Sequence, residues 1–196
     1  MLRMSGEQMS YQVPIFNEPA RSIALFEETR VDRQLEVLHG DWAQELLGCT
    51  VADYVGVALL FHTGALRNSG RLNLDWLDGV HFEPVVQELA ASKVRSVARD
   101  HFVASRDEIK RRQPGHDPRR HRDAWRYQFN PLEARPVVTG LTADLLIPVP
   151  GLLVRKVSPL GVYHTGVGQW SDKFTRDVGW LFEAYVGRQL GLLKRS

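Results

Sequence analysis

The chain has 196 residues, 43% of them hydrophobic and 24% charged, which is the composition of a globular domain and excludes disorder throughout. A single cysteine, Cys49, excludes a disulfide framework and a zinc site built on cysteines. The formal net charge of +2 and the pI of about 8.8 do not by themselves indicate a nucleic-acid-binding protein.

The N-terminal third predicts three helices. The first ten residues are polar and do not resemble a secretory signal, so we expect a cytoplasmic protein. Helices are predicted over 17–29 and 41–47, and Thr50 with Asp53 caps a third helix over 51–66. This third helix is apolar nearly all round, which predicts a central, buried position. It is too short to span a bilayer, so no membrane contact is expected.

The middle of the chain continues as short elements. Residues 72–77 fit either a short strand or a turn of helix. Helices are predicted over 84–91 and 92–104, and Ser105-Arg106-Asp107-Glu108 is a capping box that begins another helix, ending near Arg112. A further helical stretch is expected over 117–126.

After residue 136 the pattern changes to short β-type runs separated by Gly and Pro. The runs are Val137–Val138, Leu145–Val149, Leu152–Val157 and Val162–His164. A long helix then begins after Ser171 and continues to about Leu193. The predicted fold class is therefore α+β and mainly helical, with a small antiparallel sheet within about 137–165 and a long C-terminal helix. We expect a single domain over 1–196, with a soft boundary near 114–136.

The C-terminal helix carries one broad apolar face by its 3–4 residue spacing. The large side chains on that face are Phe174, Leu181, Phe182 and Tyr185. We expect all four to be mostly buried against the 51–66 helix or the small sheet.

A basic segment at 106–126 is the strongest functional signal. It contains eight Lys or Arg against four acids, and Trp125, Tyr127 and Phe129 alternate at its end. Arginine suits bidentate contacts with phosphate, and aromatic rings suit stacking on bases. The segment therefore predicts nucleic-acid binding through Arg111, Arg112, Arg119, Arg120, Arg122 and Arg126. Two alternatives are a solvated loop anchored by its aromatic residues and a contact with an acidic protein partner.

No other pattern predicts catalysis, a metal or a cofactor. No two of the seven histidines have the i, i+4 spacing of a helical metal site, and the adjacent Asp100 and His101 point apart on a helix. Glu108 and Lys110 have the Glu-x-Lys spacing of metal-dependent nucleases, but they lie in a predicted helix rather than on a strand.

The sequence Trp180-Leu181-Phe182-Glu183-Ala184-Tyr185-Val186-Gly187-Arg188-Gln189-Leu190 resembles the opening helix of restriction-endonuclease-like (PD-(D/E)XK) nuclease domains. In many of these a Phe-Glu pair begins the fold and the Glu can join the metal site, and Glu183 matches that position. The family's next strands, with the metal-binding Asp and the Glu-x-Lys pair, do not follow. The resemblance therefore implies the N-terminal helical region of a longer bacterial nuclease-like protein, truncated before its catalytic core.

The sequence thus favours a non-catalytic recognition or scaffold region of a nuclease-like, DNA-binding protein. It would contact nucleic acid through 106–126, or a protein partner or missing C-terminal domain through the 171–193 helix. One alternative is a small metal-dependent nuclease in its own right, built on Glu108, Lys110 and an unidentified Asp. The other is a protein-interaction domain that uses the C-terminal helix.

Overall fold

A computed structural model describes residues 17–78, 89–112 and 130–193. The chain divides into two compact units, the first formed by residues 1–56 and 157–196 and the second by 57–156. The expected single domain with a soft boundary near 114–136 stays a prediction. The predicted helix over 117–126, and most of the one over 84–91, lie outside the described residues.

The described residues form the following α-helices, β-strands and short 3-10 and π-helical turns. They are α1 Asn17–Phe26, α2 Trp42–Leu47, α3 Val51–Arg67, β1 Arg71–Leu72, a 3-10 turn Leu74–Asp78, α4 Ala91–Val97, a π-helical turn Ala98–Phe102, β2 Val103–Ser105, α5 Arg106–Arg112, α6 Pro131–Ala134, β3 Val137–Thr139, β4 Leu145–Leu146, α7 Gly151–Lys156 and α8 Pro159–Leu193.

The long helix α8 is broken at Ser171, whose backbone has φ 49° and ψ −127°. The break makes two arms, 159–170 and 172–193. A Cβ on residue 166 in the first arm would overlap the Phe174 ring of the second arm, so only glycine allows this approach. The predicted start of the C-terminal helix after Ser171 is confirmed.

In the first unit, the core forms where α8 packs against α1 and α2. Phe174 and Leu181 are buried, at 0% and 4% exposure, together with Leu25 and Phe26 of α1. The expected burial of Phe182 is wrong, because its side chain is 54% exposed. Tyr185 is only half-buried. The elements that cover α8 in this unit therefore reach one part of its predicted apolar face and leave the rest open.

Two polar side chains of the 172–193 arm hold neighbouring backbone in place. Asp177 is fully buried, and its Oδ2 accepts hydrogen bonds from the backbone N–H of Val37 and Leu38 at 2.7 and 3.0 Å. Arg188 donates to the carbonyl oxygens of Ala24 and Glu28 at 3.2 and 3.4 Å. These bonds satisfy main-chain groups at the end of α1 and in the loop that follows it.

The second unit contains the small sheet, with strand order β1-β4-β3-β2. β4 pairs antiparallel with β1 and β3, whereas β2 and β3 are parallel, so the sheet is mixed. The α+β, mainly helical class with a small sheet and a long C-terminal helix is confirmed. The sheet is nevertheless not the antiparallel one placed within 137–165, since its strands come from as far back as Arg71 and end at Leu146.

Two predicted β-type runs are helical. Residues 152–157 lie largely in α7, and residues 162–164 lie in the first arm of α8. Both runs are short and apolar, and such runs carry no periodicity that separates a buried strand from a buried helix. The predicted helix over 92–104 is also cut short, because a π-helical turn ends at Phe102 and β2 begins at Val103.

Candidate nucleic-acid interface

The helix α5 sets the position of the first basic residues. Its predicted capping box is confirmed: the Ser105 N–H donates to Glu108 Oε2 at 2.8 Å, and the Glu108 N–H donates to Ser105 Oγ at 3.2 Å. The backbone hydrogen bond from Ser105 lowers the pKa of Glu108 below its usual value. The Glu108 carboxylate is therefore engaged as a cap on a helix, rather than standing on a strand beside Lys110.

The last turn of α5 presents Lys110, Arg111 and Arg112 to solvent. Basic side chains are favoured there because the C-terminal end of a helix carries partial negative charge. Of the predicted nucleic-acid-binding residues, the structure brings together Arg111 and Arg112. The others lie outside the described residues; they are Arg119, Arg120, Arg122 and Arg126.

Two further cations near Arg112 were missed by the sequence reasoning. Arg135 follows α6 and donates through Nη1 to the carbonyl oxygens of Arg99 and Val103 at 3.1 and 3.3 Å. Lys156 is the last residue of α7, and burial together with the charges of Arg135 and Arg112 lowers its pKa to about 8. We call Arg112, Arg135 and Lys156 the cationic corner. No local pattern could have found it, because its members come from three separate parts of the chain.

The cationic corner holds positive charge at an electrostatic cost. Burial disfavours the charged form of Lys156 most strongly, and the charges of Arg135 and Arg112 disfavour it further. The carboxylate of Glu108 offsets part of this charge, since Arg112 and Arg135 both act to lower its pKa. The neighbouring Arg155 forms an ion pair with Glu133 at 3.3 Å. An anion bound at the cationic corner would reduce the repulsion among its three cations.

Three other reactive or titratable side chains outside the cationic corner are buried or hydrogen-bonded, namely His62, Asp100 and Cys49. His62 is 6% exposed, and burial lowers its pKa, as in a packed core histidine. The Asp100 carboxylate accepts hydrogen bonds from Ser96 Oγ at 3.0 Å and Arg99 Nε at 3.2 Å. Cys49 is buried next to the C-terminal end of α2. Within 17–78, 89–112 and 130–193, no three His, Cys, Asp or Glu residues are grouped so that they could hold a metal ion.

The C-terminal part of α8 carries an exposed apolar stripe. Phe182 and Leu190 are each 54% exposed, and the Phe182 ring stacks with Tyr185 at 6.4 Å between ring centroids. Glu183, the position carried over from the nuclease resemblance, is exposed beside this stripe. The stripe was predicted as apolar from the sequence, whereas its exposure is a property of the tertiary structure.

Comparison of the chain with protein-family models, with curated proteins and with solved structures returned no match. The stretch Trp42–Arg67, which includes α2 and α3, is long and apolar enough to cross a membrane by length and composition alone. Of its most apolar window, 56% is buried within the protein, as in the central helix of a globular fold. The expectation of no membrane contact stays a prediction.

Proposed function

We propose that this chain is a non-catalytic recognition region that binds the phosphates of nucleic acid through the basic segment 106–126 and the adjoining cationic corner. The observation that carries the proposal is the exposed basic turn at the end of α5, formed by Lys110, Arg111 and Arg112, with the charges of Arg135 and Lys156 close to Arg112. Like charges held together in a fold are a cost that a bound polyanion offsets. The resemblance of residues 180–190 to the nuclease helix supports placing this region in a nuclease-like protein.

The arrangement favours contacts with phosphate rather than reading of base sequence. Arg112 is the last residue of the seven-residue helix α5, Arg135 follows α6, and Lys156 is the last residue of α7. Among the described residues, the corner therefore offers separate phosphate-binding cations rather than one recognition helix. Phosphate contacts fix position and are largely indifferent to sequence. With four to six arginines engaged, the log–log dependence of affinity on salt should have a slope of roughly −3 to −5 on duplex DNA.

A titration of labelled duplex at several salt concentrations tests the proposal. Changing Arg119, Arg120 and Arg122 together to Ala should weaken binding uniformly across sequences and flatten the slope by up to about 3 units. Arg111→Ala with Arg112→Ala should flatten it by about 2 units. The matched control removes Arg21 and Arg176, two exposed arginines of the first unit that pair with Glu18 and Glu36. Affinity that is independent of salt, or that survives the triple change, contradicts the proposal.

The pKa of Lys156 provides a second readout. Below pH 8 its side chain is mostly charged, and above pH 8 it loses the proton. Affinity for the duplex should therefore fall as the pH is raised from 7 to 9, and Lys156→Met should remove this dependence. Arginines stay charged across this range, so they do not contribute to it.

A protein-interaction domain is the second candidate, and the exposed stripe of Phe182 and Leu190 favours it. Apolar side chains in a row on one helix are typical of interaction sites. If a second copy of the chain covers the stripe, sedimentation velocity should show concentration-dependent association. Phe182→Ser should abolish that association, and Leu160→Ser, at a 53% exposed position outside the stripe, should not.

A further inference from the structure

We propose that the first unit also contains a binding site for a quaternary or methylated ammonium ion, in a cleft walled by Trp42 and Trp170. The cleft has a volume of about 490 Å³ and lies among the loop after α1, the start of α2 and the end of the 159–170 arm. Besides the two indoles, its lining includes His39 and three carboxylates, those of Glu36, Asp41 and Glu45. It involves neither the cationic corner nor the exposed stripe.

The two indole rings are held in place from behind. The ring of Trp42 packs against Phe26 and Phe174, with centroids 5.7 and 6.1 Å apart, and Trp170 stacks on Phe174 at 5.7 Å and 26°. Phe174 is fully buried, whereas both tryptophans are half-buried and line the cleft. Because both indoles contact one buried ring, their positions are set before any ligand arrives. Tryptophan is the aromatic residue that attracts cations most strongly.

The carboxylates of the cleft differ in how far they are already neutralised. Glu36 forms ion pairs with Lys173 at 2.9 Å and Arg176 at 3.1 Å. Glu45 accepts one long hydrogen bond, from Gln169 Nε2 at 3.5 Å. In the part of the chain that the structure describes, the Asp41 carboxylate has neither an ion pair nor a hydrogen bond, although it precedes α2. Asp41 and Glu45 therefore leave negative charge for a cation at the cleft.

The two indole rings together with the carboxylates of Asp41 and Glu45 favour one class of ligand. An anion would be repelled by Asp41 and Glu45, and a neutral apolar molecule would gain nothing from them. A bare metal ion would prefer several converging oxygen ligands to indole walls. An ammonium ion that carries methyl groups matches both features, because its methyl shell contacts the rings while its charge interacts with the ring faces and the carboxylates.

The main test compares choline with 3,3-dimethylbutan-1-ol, which has the same shape without the charge. Binding is followed by tryptophan fluorescence and by calorimetry on the full chain. We expect choline to bind about tenfold more tightly than the neutral alcohol, in line with the strength of a cation–π contact. Equal affinity for the two molecules, or no binding of choline, would overturn the proposal.

Variants locate the site. Trp170→Leu should reduce choline affinity about tenfold or more. Asp41→Asn, at an exposed position whose side chain makes no hydrogen bond to any described residue, should reduce choline affinity several-fold without changing the unfolding midpoint. The control Trp180→Phe removes an indole outside the cleft, one that packs under Arg33 at 4.7 Å, and should leave affinity unchanged. Full affinity in both Trp170→Leu and Asp41→Asn would contradict the site.

The same ammonium chemistry occurs on small molecules and on trimethylated lysine side chains. A short peptide that contains trimethyllysine, and the same peptide with unmodified lysine, distinguish these sources. Preference for the methylated peptide over free choline identifies a modified protein as the ligand. Preference for choline identifies a small molecule. Equal affinity for methylated and unmodified peptide would overturn the role of the methyl shell.

Discussion

The 172–193 arm of α8 has one side that is buried in the first unit and one side that is exposed to solvent. Phe174, Asp177 and Leu181 are buried at 0–4% exposure, while Phe182, the very next residue, is 54% exposed. Both Leu181 and Phe182 belong to the same apolar face by spacing, yet the first unit covers only one of them. Helical periodicity therefore selects which residues share a face, whereas the neighbouring elements decide how much of that face is covered.

The largest loss of stability is expected on the buried side of the 172–193 arm. Phe174→Ala should lower the free energy of unfolding by about 3–5 kcal/mol, because it removes a fully buried ring that three other aromatic rings contact. Phe182→Ala should lower it by less than about 1 kcal/mol. Urea unfolding of the two variants measures the difference directly. Similar losses in both would show that the exposed stripe is covered in solution.

The next largest loss of stability is expected at the buried carboxylate of Asp177. Asp177→Ala should cost about 2–4 kcal/mol, since it leaves the N–H groups of Val37 and Leu38 without their acceptor. Asp172→Ala, at an exposed position on the same arm, is the matched control and should stay within about 0.5 kcal/mol. Hydrogen exchange at the amides of Val37 and Leu38 should accelerate only in the first variant. Unchanged exchange there would argue against this contact.

Two glycines of the first arm, Gly166 and Gly168, differ in whether they face the second arm. Gly166→Ala should destabilise the protein by about 1–3 kcal/mol, because its Cβ would overlap the Phe174 ring. Gly168→Ala meets nothing within 4 Å and should be neutral or stabilising by up to about 1 kcal/mol, through helix propensity. Thermal unfolding ranks the two variants. A destabilised Gly168→Ala with an unaffected Gly166→Ala would refute the packing of the two arms.

The smallest expected effect contrasts a buried and an exposed histidine. Burial lowers the pKa of His62, so below about pH 6.5 the unfolded chain takes up a proton more readily than the folded one. Stability should therefore be full above pH 6.5 and decrease as the pH falls through the folded pKa. His62→Gln should reduce this slope of stability with pH. His164→Gln, at an exposed position, should not.

The helix caps and helix ends were determined by the sequence alone. The capping box of Ser105 and Glu108 forms both of its hydrogen bonds, and Gly48 ends α2 in the left-handed conformation at φ 73°. Thr50 Oγ1 accepts from the Asp53 N–H at 3.0 Å, and the C-terminal helix begins again after Ser171. These features depend on residues within a few positions of one another, so their causes are visible in the sequence.

The tertiary structure decided everything that depends on distant residues. Residues 152–157 and 162–164 are apolar enough for strands, but in the fold they are helical and bury Leu153 and Val162 completely. The cationic corner joins residues from three parts of the chain, and the cleft walled by Trp42 and Trp170 joins the start of α2 to the end of the 159–170 arm. A short apolar run or a single charged residue does not predict which distant residues it contacts. Such contacts are set by packing across the fold rather than by spacing along the chain.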